Sequence, residues 1–425
     1  MNINSEKFRS EKKRVLQILP IQVLPLIGPC LRCMRQCQGL RKNGYDVTLL
    51  SRRIPQNILD DRNNKNFNDP YFEGIKVFCR LPSLPTVFLR EIANLVYSWW
   101  IILKTINETK PDIVHVHNPP ETIAFITSIL CSLKKIPVVY DVHDGAYELI
   151  SSLEINPVLK KIYLAAGLFF EKGTLKRCSG ILTVSEALKI AMIKRVGEYI
   201  GEKPFEVMKN INPQMSNLAD SYGKEPEGNY ILFSGTLYTA IMGLEDMFDV
   251  MPDINNETGA KLVIAGDGPY RKKLEEYVIN KGLNDLVEFL GHINRERLYD
   301  VINKAKLCIV TFKKSPQQDV ALPNKVFEYM AFGKAVVYQD LPGFMEVLGA
   351  DNDGKYIPDD KADLARVVKK ILLNDELRKE VGEKNRGFLR TITFEKEFSR
   401  LLDMYGMILG KPLETGHQRP GNKGL

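Results

Sequence analysis

The chain has 425 residues, of which 44% are hydrophobic and 26% are charged, a length and balance that suit two globular domains. This composition excludes a collagen-like chain and wholesale disorder, and no uninterrupted apolar run reaches the roughly 18 residues that predict a transmembrane helix. Seven cysteines, an odd number spread over a long chain, favour reduced cytosolic thiols over a disulfide framework.

The positive charge is concentrated in the first half of the chain. Residues 1–225 hold 31 Lys and Arg against 22 Asp and Glu, a net charge of +9, whereas the remaining 200 residues hold 28 against 30, a net charge of −2. A basic half is typical of a protein that meets an anionic partner such as a membrane face or a lipid phosphate, although an excess of solvated lysine gives the same pattern. Nucleic-acid binding is not expected, because no recognition motif accompanies the charge.

In chain order, the first half alternates short β-branched strands with helical stretches. A helix is predicted over 31–43, with Gly44 after it as a stop signal. The predicted strands are 14–20, 46–50, 75–78, 112–117, 137–143 and 180–184. Strands that alternate with helices predict a parallel sheet covered on both faces.

Residues 211–229 are rich in Asn, Pro, Ser and Gly and lack apolar periodicity, which indicates a linker. The alternation then restarts, and the predicted strands are 230–234, 261–265, 287–290, 307–311 and 335–338. The predicted organisation is a first domain at 1–213, a linker at 214–229, a second domain at 230–393, a helix at 394–412 that can cross back to the first domain, and a disordered tail at 413–425. Two doubly wound, Rossmann-like α/β domains of this kind face each other across a cleft at the carboxyl ends of their strands.

The most informative motif is a short predicted helix within residues 322–334. Pro323 suits its first turn and Gly333 its end, and Lys325 and Glu328, three positions apart, share the face opposite the apolar stripe. Near the positive end of the helix dipole, a lysine can neutralise a diphosphate and a carboxylate can accept hydrogen bonds from a ribose diol. An ordinary surface ion pair is the alternative interpretation.

Three glycine loops each follow a predicted strand of the second half. They lie at 233–237, 265–269 and 289–293, and they put Gly235 and Gly266 where a phosphate can approach the backbone. Each loop alone is common in α/β proteins, but their order along the chain is specific.

This ordered set of loops and helix resembles the retaining glycosyltransferases of the GT-B fold, in particular the large glycosyltransferase family 4 group. The first half is similar to that family at 43–49, 111–117, 140–144 and 183–186. The resemblance implies transfer of a sugar from a nucleotide diphosphate donor, a UDP-sugar by family frequency, to a glycan or lipid-linked acceptor with retention of the anomeric configuration. It further implies that no metal or other cofactor is required, and that the enzyme is cytoplasmic, in peripheral contact with the inner face of the membrane.

The resemblance also assigns roles to residues. Glu328 matches the glutamate that holds the ribose, the backbone of His292 and Ile293 pairs with the base edge, and His143 faces donor sugar and acceptor. Gly28 is what remains of a first glycine loop. The assigned catalytic residues are His143, Lys325 and Glu328, and the assigned substrate-binding residues are Gly28, Gly235, Thr236, Gly266, His292, Ile293, Pro323, Asn324 and Val326.

Three positions depart from the family pattern. Thr236 and Met242 stand where the family places basic residues at the diphosphate, and Val320 stands where it has a glutamate. Missing charges of this kind favour a second hypothesis, a catalytically degenerate GT-B protein that binds a nucleotide sugar or a partner without turnover. A GT-B epimerase is a third, but no set of acid–base carboxylates can be assigned for it.

Two apolar features have competing interpretations. Cys30, Cys33 and Cys37 have a spacing that suggests a metal site, but no fourth ligand is nearby and one buried helix face explains them more simply. The aromatic stretches 88–103 and 157–176 predict either helices at a bilayer interface or buried packing helices.

Three histidines lie near the carboxyl ends of predicted strands. His115 and His117 share one face of a strand, either as buried, hydrogen-bonded side chains or as groups at the cleft. His143 ends the next strand, where its neighbour Asp144 is expected to orient the ring.

Overall fold

The computed structural model describes residues 12–24, 28–54, 72–82, 88–215, 218 and 226–410, and it contains two parallel β-sheets flanked by helices. The first sheet has seven strands in the order β3-β2-β1-β4-β5-β6-β7. Its strands are β1 (Arg14–Leu19), β2 (Asp46–Arg52), β3 (Lys76–Leu81), β4 (Ile113–His117), β5 (Val138–Val142), β6 (Gly180–Thr183) and β7 (Phe205–Val207).

The second sheet has six strands in the order β10-β9-β8-β11-β12-β13. Its strands are β8 (Tyr230–Ser234), β9 (Lys261–Ala265), β10 (Val287–Gly291), β11 (Leu307–Val310), β12 (Val336–Gln339) and β13 (Lys355–Tyr356). The predicted α/β class and the pair of Rossmann-like, doubly wound domains are therefore confirmed.

Helices connect most consecutive strands and cover the sheets. They are α1 (Gly28–Lys42), α2 (Phe88–Thr109), α3 (Glu121–Lys134), α4 (Ala146–Ser151), α5 (Pro157–Arg177), α6 (Glu186–Ile200), α7 (Leu244–Thr258), α8 (Arg271–Asn280), α9 (Arg295–Lys304), α10 (Pro316–Val320), α11 (Asn324–Ala331), α12 (Pro342–Leu348), α13 (Lys361–Leu373), α14 (Asp375–Thr391) and α15 (Phe394–Leu409). None of the helices in the described ranges is long and apolar enough to cross a bilayer.

Strand order reverses once in each sheet, and this reversal determines where a ligand can bind. In the first sheet β1 pairs with both β2 and β4, and in the second β8 pairs with both β9 and β11. The loops that leave such neighbouring strands diverge to opposite faces, which opens a crevice at their carboxyl ends. The segments after β8 and β11 therefore border a crevice in the second domain.

The first helix packs on the first sheet through its cysteines. Cys30, Cys33 and Cys37 are at most 1% exposed and lie in one apolar cluster with β1 and β2. The interpretation of these residues as one buried helix face is confirmed. The helix begins at Gly28, three residues before the predicted start at residue 31.

The last helix, α15, packs on the first domain although it follows the second in the chain. It contacts α1, β6 and β7, and its Glu397 carboxylate accepts a hydrogen bond from the Lys209 backbone N–H at 2.7 Å. The exact domain limits at 213, 229 and 393 stay predictions, and the predicted tail at 413–425 lies outside the described residues.

Candidate active site

The helix α11 presents the two charged residues that the sequence singled out. Its residues Val326, Phe327 and Met330 are fully buried in the core of the second domain, so Lys325 and Glu328 occupy the other face, where both are half-buried. Pro323 precedes the first turn with extended backbone angles, φ −73° and ψ 141°. The predicted helix and its division into two faces are thus present, with the helix proper at Asn324–Ala331.

The Lys325 ammonium lies at the carboxyl end of β8. Its Nζ is 3.8 Å from the centre of the Phe233 ring and 2.8 Å from the point that a Cβ of Gly235 would occupy. Within the described part of the chain, this amine makes no hydrogen bond or ion pair. Burial lowers the pKa of Lys325 to about 7, with the negative charge of Glu328 acting in the opposite direction. An anion that arrives here would restore and stabilise the positive charge.

Two glycine loops pack backbone to backbone beside this amine. A Cβ on Gly266 would lie only 1.8 Å from the carbonyl oxygen of Gly235, and Gly235 itself has a φ of +145°. Both positions therefore require glycine. Thr236, which follows Gly235, is exposed. The structure thus brings Lys325, Gly235 and Gly266 together at one edge of the second sheet.

Glu328 lies one turn further along α11. Burial raises the pKa of the Glu328 carboxyl, and the positive charges of Arg295, Arg35 and Lys325 act in the opposite direction. Arg35 belongs to α1 of the first domain, so Glu328 lies within electrostatic reach of the opposite wall of the crevice. Neither arginine was predicted, because nothing in the local sequence of α1 or α9 indicates proximity to Glu328.

The remaining predicted donor-site residues are more dispersed. His292 is exposed, and Ile293 is half-buried and packs on the core of the second domain. The side-chain oxygen of Asn324 is buried and has no hydrogen-bond partner within the described ranges. Gly28 begins α1, and apart from its chain neighbours and its own helix, no described atom lies within 4 Å of the point that its Cβ would occupy.

The positions that depart from the family pattern are occupied by packing side chains. Met242 is half-buried against the apolar cores of the second domain, and its backbone carbonyl accepts a hydrogen bond from Thr311 at 2.7 Å. Val320 packs against the apolar core of the first domain, and its carbonyl accepts a hydrogen bond from the Ser185 hydroxyl at 2.8 Å. Neither side chain can replace the charge of the family residue at its position.

His143 follows β5 and is 8% exposed. Its Nε2 lies 2.9 Å from Nδ1 of His117, and its backbone N–H donates to the side-chain oxygen of Asn118. Burial lowers the pKa of His143 to about 4, with the Asp141 carboxylate acting in the opposite direction. The imidazole is therefore neutral at physiological pH.

The expectation that Asp144 orients His143 is wrong. The Asp144 carboxylate instead accepts a hydrogen bond at 3.0 Å from the side chain of Gln317, in the second domain. The backbone N–H of Gln317 donates to the hydroxyl of Ser152 at 3.0 Å. The loop after His143 and the helix α10 are thus joined across the crevice.

A buried charge network that sequence reasoning missed lies beneath His143. The Arg32 guanidinium forms a bidentate pair with Asp141, and Gln36 donates to the same carboxylate at 2.8 Å. Arg32 and Asp141 are at most 2% exposed. The only available signal was one aspartate within the apolar strand β5.

His115, His117 and Asp141 place potential metal-ligand atoms within 4.8 Å of one another. The donor set does not fit a metal, because the Arg32 guanidinium already contacts both carboxylate oxygens of Asp141 and would repel a second cation. Despite burial, the Arg32 charge keeps the pKa of Asp141 well below its ordinary value. This cluster is a buried ion-pair network.

Comparison with known proteins identifies the family. Residues 32–210 match the family described as Glycosyltransferase Family 4, and residues 215–388 match the family described as Glycosyl transferases group 1. The chain belongs to the glycosyltransferase family 4 group. As a member of this group it is a glycosyltransferase of the nucleotide-sugar-dependent type, with the GT-B fold.

The chain is also similar in sequence to individual proteins that are named as glycosyltransferases. The chain is 26% identical to an uncharacterized glycosyltransferase of Methanocaldococcus jannaschii, MJ1607, over 81% of this chain and 85% of that protein. It is 25% identical to the O-antigen chain mannosyltransferase RfbU of Salmonella typhimurium, over 67% of this chain and 71% of that protein.

Among solved structures, the fold is similar to two that cover nearly the whole chain. Sucrose-phosphate synthase from Thermosynechococcus elongatus has a TM-score of 0.71 at 14% identity and covers 94% of this chain and 100% of its own. Anabaena HepE in complex with UDP-glucose has a TM-score of 0.68 at 15% identity, and the match covers 93% of this chain and 99% of the HepE chain.

Proposed function

We propose that this family 4 glycosyltransferase moves a sugar from a nucleoside diphosphate donor to a glycan or lipid-linked acceptor with retention of configuration. The observation that carries the proposal is the position of the Lys325 ammonium, which lies beside the Gly235 backbone at the end of β8 without an ion-pair partner among the described residues. A departing diphosphate needs positive charge and free N–H groups at its oxygens, and α11 begins at the same place.

The donor would lie along the second domain. In this arrangement Glu328 accepts hydrogen bonds from the ribose, and the backbone of His292 and Ile293 meets the base. Pro323, Asn324 and Val326 shape the first turn of α11 around the diphosphate. The exposed Thr236 follows Gly235 in the chain, so its hydroxyl would also lie near the phosphates. UDP is the first donor nucleotide to test, since the structure of HepE contains UDP-glucose.

His143 would stand on the acceptor side, next to the loop that Gln317 joins to the second domain. The Gly28 backbone, at the start of α1, would complete that side. In this proposal Lys325, rather than a metal, supplies the charge that the diphosphate needs.

A degenerate binding protein is the second candidate. The packing of Met242 and Val320 against apolar cores favours this candidate, because the family has charged residues at these two positions and this chain has uncharged ones. Loss of one transition-state charge typically costs about 3 kcal/mol in the reaction barrier. If the protein catalyses sugar transfer, the charge of Lys325 must compensate for these missing charges.

The acceptor side also bears an apolar face that suits a membrane. Along α5 the exposed side chains include Val158, Leu159, Ile162, Tyr163 and Phe169, which are 48–66% exposed. Lys161, Lys172 and Lys176 lie on the same helix. Exposed apolar side chains next to lysines can bind the interface of an anionic bilayer, so α5 would hold the enzyme beside a lipid-linked acceptor.

The deciding experiment measures sugar transfer and donor hydrolysis with a panel of UDP-sugars, alongside binding of the nucleoside diphosphate. Wild type should bind the diphosphate and turn over, and Glu328→Ala should lose both in part. Lys272→Ala, at a lysine that is 86% exposed on α8, is the matched surface control and should change neither. Tight diphosphate binding without turnover would favour the degenerate protein, and no binding would exclude both.

A further inference from the structure

Three histidine rings form a row beneath the acceptor side of the crevice. His115 and His117 project from β4 with their ring centres 4.9 Å apart, and the His143 ring stands edge-on to His117 at 5.1 Å. Only His117 touches both its neighbour on the strand and His143. It therefore links the buried charge network to the proposed acceptor site.

His117 is neutral, so it carries one proton. It is completely buried, and this burial holds the pKa of His117 well below its ordinary value, although the Asp141 carboxylate opposes the shift. The positive charge of Arg32 adds to the lowering, as would protonation of His115 or His143. One ring nitrogen must therefore donate a hydrogen bond while the other accepts one.

Asp141 determines which nitrogen carries that proton. Its Oδ2 lies 3.4 Å from Nδ1 of His117, and Arg32 keeps the carboxylate ionised. A lone pair on Nδ1 would face this negative charge, whereas an N–H would be attracted to it. The proton of His117 consequently lies on Nδ1, from which it also points to Nε2 of His143 at 2.9 Å.

The other nitrogen of His117 fits the same assignment. The structure places Nε2 at 2.8 Å from Oε1 of Gln17, but the oxygen and nitrogen of this amide exchange places when the amide is turned over. In this orientation, with the oxygen facing the ring, the Gln17 amide nitrogen is buried and has no hydrogen-bond partner among the described residues. With the nitrogen facing the ring, it donates to Nε2, and the orphaned group becomes a carbonyl, which is tolerated better than an orphaned N–H.

We propose that His117 is a positioning residue that fixes His143 as the tautomer with its proton on Nδ1. Because Nε2 of His143 accepts from His117, the ring offers an N–H from its other nitrogen to the bound sugars and does not act as a base there. This inference rests on the proposed function only in placing His143 at the acceptor side. The tautomer itself can be measured without turnover.

The test uses the full-length protein with ¹⁵N-labelled histidine. The chain has 5 histidines, so long-range proton–nitrogen spectra are simple enough to assign by single substitutions. At neutral pH the expected spectrum of wild type has His143 as the Nδ1–H tautomer and His117 likewise. A proton on Nε2 of His143 overturns the inference whatever the activity.

The variant His117→Phe removes both ring nitrogens. It should shift part of the His143 population to the Nε2–H tautomer and lower kcat by at least about tenfold, with the KM for the donor unchanged. His115→Phe is the matched control, since His115 is equally buried on β4 and contacts Asp141 but not His143. It should leave the His143 spectrum and kcat as in wild type.

A second variant guards against misfolding of the first. In His117→Asn an amide N–H can still donate to Nε2 of His143, so this variant should keep the Nδ1–H tautomer and most of kcat. If the His143 tautomer changes in His117→Phe while kcat does not, the positioning role is wrong. If wild type shows no turnover but has the expected tautomer, the proposed function fails and the assignment of the His143 proton stands.

Discussion

The two domains share one architecture but treat charge in opposite ways. The first buries ion pairs, such as Arg32 with Asp141 and Arg195 with Glu171, while it exposes apolar side chains along α5. The second keeps its ion pairs at the surface, as between Lys369 and Asp253, and its site depends on Lys325, half-buried beside aromatic rings. The same fold can therefore support a first domain whose stability depends on buried charges and a second domain that binds a ligand.

The largest expected effect is the loss of stability on removing one partner of a buried ion pair in the first domain. Asp141→Asn leaves the Arg32 guanidinium buried without a countercharge, and we expect the free energy of unfolding to fall by about 3–5 kcal/mol in urea titrations. Asp253→Asn is the control, because the Asp253 side chain is 58% exposed and its pair should contribute less than about 1 kcal/mol. Equal effects of the two changes would contradict the comparison.

Acid should destabilise the protein through the same network. His143, with its pKa near 4, stays neutral in the folded state while it is protonated in the unfolded state below its ordinary value of 6.5. The unfolded state then binds more protons, so the free energy of unfolding falls as pH decreases from about 6.5 to 4, by roughly 3 kcal/mol for this group. The lowered pKa values of His115 and His117 act in the same direction.

The measurement for this prediction is urea unfolding at a series of pH values. His143→Gln should remove part of the slope between pH 6.5 and 4, whereas His292→Gln, at an exposed position, should leave it intact. A slope that His143→Gln does not change would show that other groups cause the acid sensitivity.

The lysine site of the second domain should make ligand binding depend on pH, in addition to its effect on stability, because the lowered pKa of Lys325 also makes the free energy of unfolding fall as pH decreases. With a pKa of about 7, Lys325 is charged at pH 6 and mostly neutral at pH 8 in the free protein. Affinity for a nucleoside diphosphate should therefore fall by about tenfold over that range, as measured by calorimetry.

Two variants separate this effect from ionisation of the ligand. Lys325→Arg keeps its charge at every pH and should flatten the dependence. Lys325→Ala should weaken binding of the diphosphate by about tenfold or more but that of the nucleoside hardly at all. If both ligands weaken equally, Lys325 does not contact phosphate.

The smallest effect is expected at the apolar face of α5. Ile162→Asp should weaken binding to vesicles that contain anionic lipid by about 1–2 kcal/mol, because it removes buried apolar area and adds a repelled charge. Ile279→Asp, at a residue that is similarly exposed in the second domain, is the matched control. Equal vesicle binding by both variants would exclude α5 as the docking helix.

The sequence predicted what is local and missed what is distant. Strand and helix alternation, the helix at Asn324–Ala331 and the strand-end glycines follow from short-range patterns, and the structure contains all of them. The pairing of Arg32 with Asp141 joins positions 109 apart, and that of Gln317 with Asp144 joins positions 173 apart. No periodicity reports such contacts, which explains why Asp144 was assigned to the wrong partner.

The helix α15 ties the end of the chain to its beginning. Through the hydroxyl of Tyr405, 3.0 Å from His115, this helix reaches the same buried carboxylate that the histidines surround. The polypeptide thus connects the two domains twice. A truncation before Phe394 would consequently remove one of these two connections and expose part of the apolar core of the first domain to water.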